Sequence, residues 1–223
     1  MYIREPTWRL LGQSPGPFEG AFIGSSRGDS AEVVRLADEM TKLAQRKAWT
    51  SVEKTYKQLE SISKTMGDEA FDLMPNAAAI HKLGAEAACV FGDTKLFQTR
   101  LWRAKMSLDA AGVPLNDPTL RRIIDLLDAI EKAYGAVTIA PRTEPKSKKQ
   151  QRQMSDQELI PVRKPSTGNE LRSIEFAAKA IMDTGHFKGL LPAGDYTLAN
   201  QSFTVGAGTE LTGKRPTNVL WGS

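Results

Sequence analysis

From Val33 to Tyr134, apolar side chains return every three or four residues. That period commits the middle of the chain to stacked amphipathic helices, because only a helix brings residues so spaced onto one face. The first helix is expected to open at Asp29-Ser30 with Ser30 as its N-cap, and Val33, Val34, Ala37, Met40, Leu43 and Ala44 form its buried face. A second follows from about Thr50 with Val52, Tyr56, Leu59 and Ile62. Gly67 and Pro75 then interrupt the pattern. Two further helices cover residues 76–90 and 94–110, divided by the turn signal Gly92-Asp93. Asp117-Pro118 opens another, since Asp caps and proline suits the first helical position. Its seam runs Leu120, Ile123, Ile124, Leu127, Ile130 and Tyr134 and stops at Gly135.

The ends follow different rules. Residues 1–29 hold three prolines and five glycines, which forbid a long helix, yet Trp8, Phe18 and Phe22 supply anchors. They read as an extended arm. After Gly135 the alternating, β-branched Ala136-Val-Thr-Ile-Ala140 predicts a strand, and Glu158–Val162 predicts another. Residues 169–183 return to helix. In the text Phe187–Leu198 followed by Gln201–Val205, Pro192-Ala-Gly194 marks a turn, with Tyr196, Leu198, Phe203 and Val205 directed inward. The phrase is similar to one found in small bacterial β modules of the carboxypeptidase-regulatory-like kind. The expected organisation is an arm over 1–29, a helical domain over 30–135, a linker over 141–157 and a small α+β module over 158–223.

The charge is unevenly placed. The chain carries 30 Lys+Arg against 26 Asp+Glu, and residues 141–164 alone hold 7 cations and 3 anions, which accounts for the whole net charge of +4. Their basic core, Lys146, Lys148, Lys149 and Arg152, lies in a polar stretch without aromatics. A nucleic-acid surface needs cations spread over a fold and rings to stack bases, so RNA binding through these residues stands as a secondary reading. No apolar run approaches the roughly 20 residues of a membrane span. The N-terminus lacks the signature of a secretory signal, so a cytoplasmic location is expected.

Reactive groups are sparse. Cys89 is the one cysteine, which precludes an intramolecular disulfide, and its small-residue surroundings make it a buried hydrophobe. His81 and His186 are the two imidazoles, and His81 has Gly84 and Ala85 where an orienting carboxylate would stand at i+3 or i+4. Gly206-Ala-Gly208 is followed by turn residues instead of the helix that a phosphate cradle requires. Neither a metal nor a cofactor nor an enzymatic activity is expected.

The helical residues carry a resemblance. Trp49, Val52, Tyr56 and Leu59, then Leu83-Gly84, Gly92-Asp93, Leu101 and Ala104, resemble the helix-pair pattern of tetratricopeptide repeats over roughly residues 31–134. The resemblance implies a mainly α fold, an antiparallel helix-pair bundle carrying a small C-terminal α+β module. It also implies a groove lined by the first helix of each pair, with Thr41 and Gln45 in one unit and His81 and Ala85 in the next. A glycine such as Gly84 suits the close approach of two helices. The two units are about 45 residues apart where the family has 34, because of the insertion around 63–75.

The expected function is therefore protein–protein interaction or assembly, with itself or another polypeptide, as in a bacterial scaffold. Thr41, Gln45, His81, Ala85, Trp8, Phe18 and Phe22 are the candidate contacts. A different reading makes the C-terminal hairpin an envelope ligand- or glycan-binding module, with Tyr196, Phe203 and Trp221 as stacking platforms.

Overall fold

The computed structural model describes residues 27–143 and 158–222. Among them the chain is mainly α with a small C-terminal α+β module. The arm residues Trp8, Phe18 and Phe22, and the basic residues Lys146, Lys148, Lys149 and Arg152, lie outside the described residues.

Helices α1 (Arg27–Gln45) and α2 (Trp49–Met66) form a first hairpin. The first helix starts at Arg27, so Ser30 lies inside it and is not the N-cap that its residue type promised. The region read as a break contains a five-residue helix, α3 (Asp68–Asp72), bounded by Gly67 and Leu73. Helices α4 (Ala77–Phe91) and α5 (Thr94–Ala110) make the second hairpin. Arg100 of α5 reaches the carbonyl of Gly84 at 2.8 Å, midway along both helices. Helix α6 (Pro118–Ala133) begins as expected, with Asp117 Oδ1 accepting from the N–H groups of Thr119 at 2.8 Å and Leu120 at 3.0 Å.

Gly84 shows why residue size matters where the hairpins meet. A Cβ there would lie 2.3 Å from Cδ2 of Tyr56, well inside van der Waals contact. The two hairpins share one apolar core built from Val33, Met40, Val52, Tyr56, Leu59 and Ile80.

Helix α6 runs without a loop into β1 (Tyr134–Pro141), so Tyr134 ends in the strand and not on the helical seam. In one sheet β1 is central. It pairs antiparallel with β3 (Phe187–Pro192), Ile139 opposite Phe187, and parallel with β6 (Thr217–Trp221), Ile139 opposite Val219. The second sheet orders β2 (Leu159–Pro161), β4 (Gly194–Leu198) and β5 (Gln201–Val205), all antiparallel. Helix α7 (Gly168–Thr184) packs Ile174, Ala177 and Ile181 with Val137, Ile139, Leu198 and Trp221. Tyr134, Ala136 and Leu190 join the core of α4, α5 and α6 instead. The first sheet is thus buried on both faces, which explains the nearly continuous apolar text of β1.

Candidate functional site

Three polar clusters join the elements of the described residues. The first lies between the hairpins. Tyr56 Oη is 2.9 Å from His81 Nδ1, and His81 Nε2 is 2.8 Å from Asp72 Oδ1. Burial pushes the imidazole below its ordinary pKa, more than the Asp72 hydrogen bond restores. A neutral ring has one N–H, and the acceptor-only carboxylate fixes it on Nε2. Nδ1 therefore accepts from the Tyr56 hydroxyl. Burial pushes that phenol up to about 12, so it keeps its proton at neutral pH.

Tyr56 and His81 are each 1% exposed, so this relay is enclosed by helices. The Arg100 guanidinium lies 3.9 Å from the Tyr56 ring centroid and pairs with both oxygens of Glu53, at 2.5 and 2.9 Å. Arg103 adds contacts to Asp72 at 3.4 Å and to Asp68 at 3.3 Å. The relay escaped the sequence because Asp72 is nine positions before His81 and Tyr56 twenty-five, on other elements. The stretch around 63–75, expected as an insertion between two helix pairs, supplies Asp68 and Asp72.

The second cluster joins the helices to the loop after β5. The Glu131 carboxylate accepts from the Thr209 hydroxyl, from the Thr209 N–H at 2.9 Å, from the Thr212 hydroxyl at 2.9 Å and from Gln98 Nε2 at 2.7 Å. Burial pushes this carboxyl up, but the donors from Thr209, Thr212 and Gln98 outweigh it and the pKa is lowered. A depressed acid stabilises the fold above its unfolded pKa, and that contribution is lost as pH falls through the folded value. Glu131→Gln, which sets an amide against Gln98 and the threonine donors, is expected to lose about 1–3 kcal/mol in urea unfolding at neutral pH. The variant should also show a smaller decline on acidification through the carboxylate range than the parent chain.

The third cluster shapes a cleft. Gly92 ends α4 in the left-handed conformation (φ 82°), and its N–H and that of Asp93 bond back to Cys89 and Ala88. Asp93 then caps α5 by accepting from the Leu96 N–H at 2.9 Å. Thr94 Oγ1 meets Ser173 Oγ of α7 at 2.5 Å, which fixes the hairpin turn to the C-terminal module. Beside this weld opens a cleft of about 410 Å³ between the start of α5, the side of α7 and the start of β3. Leu96, Phe176 and Phe187 give it apolar walls, the two rings meeting edge-on at 77° and 6.4 Å. Lys95, Lys188 and His186 bring cations and an imidazole to its margin.

The residues expected to make contacts do not converge. Thr41 and Gln45 are exposed on α1. His81 and Ala85 are inside the core, at 1% and 0% exposure, so the second half of the expected groove is closed by packing. Ala85 belongs to the cluster with Phe97, Leu101 and Ile123. The glycan platforms fare similarly. Tyr196 donates to the Pro192 carbonyl at 2.7 Å, and Trp221 Nε1 donates to the Gly185 carbonyl at 3.1 Å, both buried. Phe203 stacks on Tyr196 at 5.6 Å, and no face of the Tyr196 ring is left for a sugar. Cys89 is half-buried, with burial pushing its thiol up.

Among the described residues no group of three or more His, Cys, Asp or Glu is placed to hold a metal ion, and no helix is long and apolar enough to cross a membrane. Comparison with family models, with curated proteins and with solved structures finds no match.

Proposed function

We propose that this chain is a protein–protein interaction or assembly module, related in architecture to tetratricopeptide helix pairs, that binds an extended polypeptide. The observation that carries the reading is the open cleft beside the α4–α5 turn. Its apolar walls and cationic margin suit a peptide segment bearing both apolar and acidic side chains. Its volume lies in the range of about 300–1,000 Å³ that takes one small ligand or a few side chains. The relay of Tyr56, His81 and Asp72 contributes architecture, because the Tyr56 hydroxyl and both His81 nitrogens are buried against protein partners. Support for the repeat-like reading comes from the way α4 packs on both helices of the first pair and from the Gly84–Tyr56 approach.

The test compares the full chain with one lacking residues 1–28, by sedimentation and by retention of companions from the source cell. The deletion is expected to lower assembly size or companion binding while the far-ultraviolet helical signal persists. A deletion that leaves assembly and companions unchanged would count against the arm's part in the reading, and a full chain that neither associates nor retains a companion would count against the reading itself.

A further inference from the structure

We infer that the cleft between α5, α7 and β3 receives the Phe18–Phe22 segment of a second copy of this chain. The inference rests on the interaction reading above and names the occupant of its cleft. The segment lies outside the described residues, and its chemistry is read from the sequence: Pro17-Phe-Glu-Gly-Ala-Phe22 sets one carboxylate between two aromatic rings. The cleft offers the complement, with Lys95 and Lys188 at the margin and Leu96, Phe176 and Phe187 as walls. Asp93, the acidic side chain among its described lining residues, accepts the Leu96 N–H as the cap of α5 and also feels the charge of Lys95.

Geometry selects a second copy over the chain's own arm. Tyr56 lies against His81, and Glu53 lies beside Gly84 through Arg100, so α2 and α4 run antiparallel. Helix α1, which reverses into α2, therefore runs the same way as α4. Its start is at the opposite end of the helical domain from Gly92 and the cleft. The 19 residues of α1 extend about 28 Å at 1.5 Å per residue. The chain from Phe22 to Arg27 spans about 17 Å when fully extended. Phe22 falls short of its own cleft. With the arm at one end and the acceptor at the other, two opposed copies can each seat the other's arm and close as a dimer, and copies stacked head to tail repeat into larger rings or open chains.

The test uses two full-length variants and sedimentation velocity with native mass spectrometry. One, Phe18→Ala with Phe22→Ala, keeps an intact cleft. The other, Thr99→Arg with Lys188→Glu, keeps an intact arm, since both substituted side chains are exposed at the cleft. The parent chain is expected to associate as a dimer or larger, each variant alone to be a monomer, and an equimolar mixture to form a dimer and nothing larger. A monomeric parent chain, or a mixture that stays monomeric while the parent associates, overturns the inference. A monomeric parent whose companion is released by Thr99→Arg with Lys188→Glu also overturns it, while leaving the interaction reading standing with a foreign polypeptide as occupant.

Discussion

Replacing Glu53 by alanine is expected to destabilise the chain by about 3–5 kcal/mol, the cost of leaving a buried charge without its partner. The Arg100 side chain is 3% exposed and that of Glu53 16%, so the change leaves the guanidinium in a largely buried position. Arg100 would keep the Gly84 carbonyl and the Tyr56 ring face but lose both carboxylate oxygens, and its Nε already has no hydrogen-bond partner. Urea unfolding at neutral pH reads the effect as a lowered midpoint at constant slope. Pairing Glu53→Leu with Arg100→Met should recover much of the loss, because an apolar pair of similar volume removes the desolvation cost of both ions. A Glu53→Ala variant of parental stability would mean that the ion pair does not hold the hairpins together.

The second large effect is expected at Gly92. Alanine there meets two separate obstacles. A non-glycine residue in the left-handed region costs about 1–2 kcal/mol. In addition the new Cβ would lie 2.2 Å from the Arg172 carbonyl oxygen, so the α4–α5 turn and α7 must separate, an overpacking cost of about 1–3 kcal/mol. Gly112 isolates the two, since its φ of 68° is similarly left-handed but nothing lies within 4 Å of a Cβ. Gly112→Ala should therefore show the conformational cost alone, and Gly92→Ala should exceed it. Hydrogen exchange should further show lost protection around Thr94 and Ser173 in Gly92→Ala only, because those hydroxyls join across the junction being forced apart. Equal destabilisation by the two substitutions would contradict a tight contact between the helical turn and α7.

Local chemistry made much of the fold legible. Asp117-Pro118 announced α6, the Gly92-Asp93 turn separated α4 from α5, and the β-branched alternation after Gly135 announced β1. What escaped depends on distance along the chain. Helix α3 is five residues long, too short for a helical period to register, yet it supplies the carboxylate that orients His81. Strand β6 follows Gly213 and Pro216, residue types that interrupt regular structure, and is held by parallel pairing with residues some eighty positions earlier. The cleft was illegible for the same reason, since Leu96, Phe176 and Phe187 come from three separate elements and none belongs to a recognisable motif. Repeat-family analogy placed His81 and Ala85 on a groove, whereas the helices bury both.

Binding of a polypeptide is the claim on which the functional reading turns. Native mass of the full chain, recovered under mild conditions from its source cell, tests it most directly. The expected result is a species heavier than the 24.5 kDa chain, either a multiple of that mass or a fixed ratio with one companion, dissociated by Thr99→Arg with Lys188→Glu. A lone 24.5 kDa species at every protein concentration, unaffected by those substitutions, would contradict it.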